Sequence, residues 1–375
     1  MATRRPAEVF PPGQYIKDEL EARHWTQLDL ADIIERPARL VNELISGKRG
    51  ISAETAKGLA AAFGTSPEVW TRLQGAYDLY RAGEDTADDP RVRRAHLYDK
   101  APIRDMVHRA WIEPSNNLDV LERSVCQFFN IADLDDEPVF AVAAHKSNPT
   151  AEHSRPQIAW FFRARQLAHG VPAAPYSPAN VSVLLERLRT IEREPREVRH
   201  VPRILGEAGI RLVVVEHLPK TKIDGACFWV DECPVIALSA RFDRIDNFWW
   251  VLLHELGHVA GHHAYSLDVD LESPSSAVPS DNEMTADGFA REHILPQEQF
   301  DDFIARVYSI YSSDRIEGFA KTIGVHPGIV VGQLHHREEV HYSSFRKMLI
   351  PIRDTLTSAA LTDGWGHTVS LGKGN

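Results

Sequence analysis

At 375 residues the chain has room for two or three domains. Its 43% hydrophobic and 25% charged content fits a globular protein, and no apolar run reaches the roughly eighteen residues that cross a bilayer. A net charge of -11 excludes a protein that coats nucleic acid over its whole surface, and Cys126, Cys227 and Cys233 make no disulfide framework.

Met1–Pro12 carries arginines with no apolar core behind them, so no secretory leader and a cytoplasmic location are expected. The charge is unevenly spread. Residues 1–80 hold ten basic and eleven acidic side chains, yet Arg36–Arg49 holds four basic and one acidic. Helical spacing predicts Tyr15–Ala22, with Ile16 and Leu20 on one face. Thr26 caps a second helix, with Asp29 as capping-box partner and Leu28, Leu30, Ala31 and Ile34 on its buried side. Pro37 opens a third, with Leu40, Val41, Leu44 and Ile45 inward and Gly47 at its end. Ser52 caps a fourth through Ala62, and Ser66-Pro67 opens a fifth carrying Val69, Trp70 and Leu73.

The third helix would expose Arg36, Ala38, Arg39 and Asn42, whose polar members match base edges in a major groove. Lys48 and Arg49 in the following loop suit phosphates, and Gln27 suits the DNA backbone or a brace on the reading helix. Glu43 beside them either accepts from a cytosine amino group or points into solvent. A small bundle of this kind can also serve dimerisation or protein docking. Residues 10–80 resemble the helix-turn-helix domain of the Xre (Cro/repressor-like) class, and HigA-type antitoxins in particular. The matching stretches are Pro12-Gly13, Trp25-Thr26-Gln27, Asp29-Leu30-Ala31, Ile45-Ser46-Gly47-Lys48-Arg49, Ala60-Ala61-Ala62-Phe63-Gly64-Thr65 and Trp70. The resemblance implies Thr26–Ile34 as the first motif helix and Pro37–Ile45 as the recognition helix.

Glu84–Pro90 reads as an acidic linker. From Ala101 to Glu194 the apolar spacing is helical: Ile103, Val107 and Trp111, then Leu118, Leu121 and Val125, then Ile158 to His169. No chemistry is legible there. Arg155, Arg163 and Arg165 read as a solvated face or, less simply, an anion site.

Val201–Ala208 reads as a short helix, followed by strands at Ile210–Glu216, Gly225–Trp229 and Pro234–Ser239. The second hairpin strand is a candidate to pair with an extended substrate. A helix starting near Asp246 or Asn247 is apolar around most of its girth from Phe248 to Leu253, hence buried. It carries His254-Glu255-Leu256-Gly257-His258. Residues four apart lie about 40° apart in azimuth and roughly 6 Å along the axis, so both imidazoles reach one ion. Glu255, about 100° round, stands beside the ion as a base. A third ligand is required. Ser280 caps a helix through Ile294 in which Glu283 and Asp287 share a face. Glu283 would ligate, and Asp287 would take the other ring proton of a ligand histidine. Ser280 and Glu283 also fit a metal-free capping box, with His262 or His263 as third ligand. Tyr265, His263 and Tyr342 are candidate oxyanion donors, His335 and His336 are cleft or surface positions, and Cys227 and Cys233 read as buried thiols. Met348, Leu349, Ile352 and Leu356 form an apolar stripe in the tail.

The Glu-x-x-x-Asp spacing resembles the gluzincin arrangement. Residues 201–296 resemble the ImmA/IrrE metallo-endopeptidases at Lys222-Ile223-Asp224-Gly225, Asp243-Arg244-Ile245-Asp246-Asn247-Phe248, His254–His258 and Glu283–Pro296. That likeness implies Zn2+ on His254, His258 and Glu283, with Glu255 as catalytic base. It departs at Thr285, where members of the family often have a glutamate.

The expected fold is multidomain: an all-α helix-turn-helix head (1–82), a helical connector (83–200), an α+β gluzincin-like metallopeptidase core with a small sheet (201–340), and a C-terminal helix and tail (341–375). The expected function is a DNA-binding regulator whose zinc endopeptidase cuts a repressor, a toxin or itself. The alternative is an antitoxin or repressor whose peptidase-like half binds a partner or senses metal without turnover. A third reading is an intracellular peptidase whose head only dimerises. Expected partners are double-stranded DNA, a protein substrate and a second copy in a homodimer, with no membrane.

Overall fold

The structure is a computed structural model that describes residues 9–83, 89–139, 153–271, 280–308 and 310–369. The chain divides into two compact units, Met1–Arg93 and Arg94–Asn375. The acidic run at 84–88 lies outside the described residues.

The first unit contains α1 (Pro12–Arg23), α2 (Gln27–Ile33), α3 (Ala38–Ile45), α4 (Ala53–Phe63) and α5 (Pro67–Ala82). The caps read from sequence are present. Thr26 Oγ1 accepts from the Asp29 amide at 3.2 Å, and the Asp29 carboxylate accepts from the Thr26 amide at 2.6 Å. Ser52 caps α4, and Gly64 leaves it in the left-handed region at φ 71°. Gly13 is required by packing. A Cβ there would lie 2.5 Å from the carbonyl oxygens of Leu44 and Ile45, so α1 can seat on the end of α3 only without one. The core gathers Ile16, Leu30, Val41, Leu44, Leu59 and Trp70. Leu28 departs from expectation and is 65% exposed. α2 is only seven residues long, and its inward positions are taken by Leu30 and Ala31.

α6 (Pro90–Lys100) runs across the division. The second unit continues with α7 (Ile103–His108), α8 (Leu118–Phe129), α9 (Arg155–Ala168), α10 (Asn180–Ile191), α11 (Val201–Glu207), and then strands β1 (Arg211–Val215), β2 (Ile223–Val230) and β3 (Cys233–Leu238). After these come α12 (Ile245–Ala260), β4 (Tyr265–Val269), α13 (Asp281–Ile294), α14 (Gln297–Val307), α15 (Ser313–Ile323), α16 (Pro327–His336), α17 (Arg353–Thr357) and β5 (Leu361–Asp363). The sheet order is β4-β2-β3-β1-β5. β1 is parallel to β3 and β5, while β2 is antiparallel to β3 and β4.

Side chains alternate across a strand, and here both faces are buried. Val213, Val215, Ala226, Phe228, Val235 and Ala237 pack with Trp160, Phe161 and other residues of α6 to α9. Leu212, Val214, Cys227, Ile236 and Leu238 pack against α10 to α16. The helices expected as a connector therefore form one of the two layers that cover the sheet. The tail stripe at Leu349, Ile352 and Leu356 joins the other.

Two features differ from the sequence reading. Arg163 is neither a solvated face nor an anion site. It is buried, and its Nε donates to the fully buried Asp363 carboxylate at 2.6 Å. Arg109 Nη2, just past the end of α7, donates to the same carboxylate at 3.0 Å, so two cations hold β5 in the sheet. The second hairpin strand, β3, lies between β2 and β1 and has no edge to offer an added strand. Among the described strands the outer positions belong to β4 and β5.

Candidate metal centre

α12 is apolar around most of its circumference and sits deep in the second unit, so His254, Glu255 and His258 are all fully buried. α13 packs beside it. A Cβ at Gly257 would lie 2.8 Å from Ala286 Cα, so the two helices meet almost backbone to backbone. Glu283 and Asp287 flank Ala286 by three residues and one on α13. The close approach brings both carboxylates to the imidazoles. His254 Nε2 lies 3.4 Å from Glu283 Oε2, and His258 Nε2 lies 3.7 Å from Glu283 Oε1. The two Nε2 atoms are 3.2 Å apart.

The other ring nitrogens face away from this cluster. His254 Nδ1 is 3.0 Å from Asp287 Oδ1, which fixes Nε2 toward the centre. His258 Nδ1 is 2.7 Å from His263 Nδ1. His263 thus stands behind the ring of His258, and His262 stacks on Trp229 at 5.7 Å. Neither enters the donor cluster. Ser280 caps α13 by accepting from the Glu283 amide at 3.3 Å, while the Glu283 carboxylate turns to the imidazoles.

A residue not read from the sequence completes the cluster. Asp268 on β4 lies 3.7 Å from each Nε2, through Oδ1 to His254 and Oδ2 to His258. One ligand atom from each of His254, His258, Asp268 and Glu283 lies within 4.8 Å of the others. Register explains the placement. Gly225 pairs with Asp268 and Cys227 with Ser266, so Ser266 and Asp268 share the sheet face that Cys227 turns toward α12. Ser266 Oγ donates to Asp268 Oδ1 at 2.8 Å. The only sequence signal was an acid inside a five-residue strand between two helices.

Glu255 lies against β2 at Gly225, where a Cβ would stand 2.0 Å from Glu255 Oε1. Neither of its carboxylate oxygens has a hydrogen-bond partner among the described residues. Burial, and then the negative charge of Asp268, push its carboxyl well above the usual range. Burial works against a charged His254, but the carboxylates of Asp268, Asp287 and Glu283 push it up to about 12. Burial and the neighbouring His254 hold His258 down to about 4, against Asp268. Burial also raises Glu283. Two imidazoles and two carboxylates form a donor set suited to a divalent cation, and the unpartnered buried carboxylate beside them fits a base acting at such an ion.

Cys227 and Cys233 are buried thiols, and burial raises both. The oxyanion candidates already have partners. Tyr265 Oη is 2.7 Å from His153 Nε2, and Tyr342 Oη accepts from Arg244 Nη1 at 2.7 Å. His335 is buried, with Nε2 at 2.9 Å from the Ser344 carbonyl.

On the first unit, the side chain of Arg39 is 89% exposed and its Nε donates to Glu43 Oε1 at 2.8 Å. Arg49 pairs with the other oxygen of Glu43 at 3.3 Å. Asn42 Nδ2 donates to Gln27 Oε1 at 3.4 Å, which bridges α3 to α2. Arg36 pairs with Glu54, Lys48 is exposed, and Ala38 is half-buried against the core.

Residues 207–337 match the family described as an IrrE N-terminal-like domain of peptidases, and residues 16–70 match a helix-turn-helix family. Virulence-associated protein A' of Dichelobacter nodosus is 40% identical over 93 residues, which is 24% of this chain and 81% of that protein. An uncharacterized HTH-type transcriptional regulator of Escherichia coli, YddM, is 32% identical over 22% of this chain and 87% of its own length. Among solved structures, an addiction module antidote protein of the HigA family from Coxiella burnetii shares 38% identity over 20% of this chain and 80% of that one, at TM-score 0.19. Pseudomonas aeruginosa antitoxin HigA, solved with the higBA promoter, shares 34% identity over 20% of this chain and 83% of that one, at TM-score 0.20. The chain belongs to the helix-turn-helix regulators through its first unit and, through residues 207–337, carries a domain of the IrrE N-terminal-like peptidase family.

Proposed function

We propose that this DNA-binding regulator is also a zinc-dependent endopeptidase that cuts a regulatory protein: a repressor, a toxin or a second copy of itself. The observation that carries the reading is Glu255, a buried carboxylate without a partner, one residue from His254 and beside Asp268. Held by His254, His258 and Glu283, Zn2+ would polarise a scissile carbonyl and lower the pKa of water at the site. Glu255, whose carboxyl burial pushes up, is the group that would take a proton from water and pass it on to a leaving amine. Asp287 and His263 keep both Nε2 atoms turned inward.

The first unit is read as the operator-binding part, with Arg39 and Asn42 at base edges, Gln27 at the DNA backbone or bracing Asn42, and Lys48 and Arg49 at phosphates. Ala38 opens the same helix, and Arg36 lies two residues before it. Glu43 holds both Arg39 and Arg49 in the free chain. Glu43→Gln is expected to bind its own promoter DNA more tightly, with a steeper salt dependence. Fluorescence anisotropy over a salt series tests this, and an unchanged slope counts against the pairing as a restraint.

The chemistry is tested with wild type and Glu255→Gln on candidate repressors and toxins, with cleavage mapped by mass spectrometry. Glu255→Gln is expected to lose about 10²–10⁴-fold in rate while keeping its metal. Should neither protein cut any candidate while promoter binding persists, the second unit is a partner-binding or metal-sensing module. The fourth donor, Asp268, is the observation that favours this second reading.

A further inference from the structure

We propose that Asp268 is a fourth protein ligand, so that the resting chain encloses its divalent cation in a cage of two imidazoles and two carboxylates. Turnover then requires Asp268 to withdraw. The inference rests on the metal reading of His254, His258 and Glu283 and adds a closed resting state to it.

Geometry is the first support. Bonds of about 2.0–2.2 Å from a tetrahedral ion place its ligand atoms roughly 3.3–3.6 Å apart. The nearest-atom separations are 3.2 Å between the imidazoles, 3.4 and 3.7 Å from them to opposite oxygens of Glu283, and 3.7 Å from each to opposite oxygens of Asp268, and one donor atom from each of the four side chains lies within 4.8 Å of the others. The four side chains converge on one point, and a modest contraction around an ion brings them to a tetrahedral cage. A catalytic site built on three ligands keeps the fourth position for solvent or substrate. In this chain the Asp268 carboxylate stands at that position.

Accessibility is the second support. The Asp268 side chain is 4% exposed and that of Glu283 is 33% exposed, so Asp268 is the inner carboxylate. A base needs its nucleophile within hydrogen-bond reach. Here the charged group next to the base is another carboxylate, and both oxygens of Glu255 are shielded from solvent. The two acids stand where base and nucleophile would meet.

Topology is the third support. Asp268 rides on β4, which is five residues long, outermost among the described strands and joined to the sheet through β2. The β2–β4 register shifts between Ile223 and Gly225, beside the Gly225–Asp268 pair. Withdrawing Asp268 requires moving one short outer strand rather than the helices that carry the other three ligands.

Cobalt substitution of the full chain tests this without using turnover. Wild type is expected to take up one Co2+ per chain with the intense visible absorption of a four-coordinate ion. Acetohydroxamate should leave that spectrum unchanged at a concentration that saturates Asp268→Ala. Asp268→Ala and Asp268→Asn should bind Co2+ at least about tenfold more weakly, with a weaker band. If the hydroxamate changes the wild-type spectrum as readily as that of the variants, or if both variants keep wild-type affinity, Asp268 is not a ligand and the three-ligand site stands. Asp268→Asn, which keeps the size and shape of the side chain, supplies the same comparison if Asp268→Ala fails to fold. If wild type takes up no stoichiometric Co2+, or His254→Ala binds it equally well, the metal reading itself falls.

Discussion

Gly225 shows how much of the site depends on an atom that is not there. It faces Glu255 across a gap that a methyl group would fill to 2.0 Å from Oε1. Its neighbour Asp224 is buried and accepts from Arg241 Nε at 3.0 Å and from the Leu271 amide at 2.8 Å, which pins the segment on either side of the site. Gly225→Ala should therefore displace Glu255 while leaving His254, His258 and Glu283 in place. The expected outcome is a loss of about 10²–10⁴-fold in peptide hydrolysis, with zinc content unchanged by elemental analysis. Retained hydrolysis would mean that Glu255 has room this packing denies it. At this scale the sequence was informative where spacing along one helix sets geometry. His254 and His258 follow from a separation of four, and Glu283 and Asp287 from the same separation on the next helix. Asp268 was not legible, because its place beside the imidazoles comes from strand pairing with Gly225 and not from any neighbour in sequence.

Arg189 and Glu192 on and after α10 show how helices are tied together around the core. Arg189 donates to the carbonyls of Ile294 and Ile323, at the ends of α13 and α15, and to Glu192 at 2.7 Å. Burial pushes Glu192 up to about 7, partly offset by Arg189. The folded state therefore holds this proton more tightly than the unfolded chain does. The stabilising contribution is complete below about 4.5 and is lost as pH rises toward about 7. Glu192→Gln should flatten this part of the profile, as read by melting temperature across that window. Parallel melting curves for the two proteins would show that Glu192 does not titrate there. Elements were read well where local signals suffice, as in the caps of α2 and α4 and the three central strands. β4 and β5 were missed. A five-residue strand gives little periodicity, and β5 exists only because β1, far back in the chain, pairs with it in parallel.

Across the whole molecule, the second unit gathers Asp268, Glu283 and Asp287 around two imidazoles, a concentration of carboxylates that a cation relieves. Zinc should raise the melting temperature of this unit and a chelator should lower it. A free-metal level a thousandfold above the dissociation constant contributes about 4 kcal/mol. The first unit holds its own core, so its transition should not respond. Scanning calorimetry with zinc or chelator reads both. A single transition that ignores zinc would count against the donor cluster as a metal site. The head and the peptidase half were separable by eye in the sequence. That residues 97–134 and 158–168 cover one face of the sheet was not, because their helical spacing shows an apolar side without naming what it meets.

The anchoring of β5 by Arg163 and Arg109 has a consequence for synthesis. The sheet is begun by residues near 211 and closed by residues near 363, so a ribosome must deliver some 150 further amino acids before that border is sealed. The head can fold and find DNA during that interval. The second unit is completed only afterwards, and a nascent chain that stalls before Leu361 carries a finished head beside an unsealed sheet.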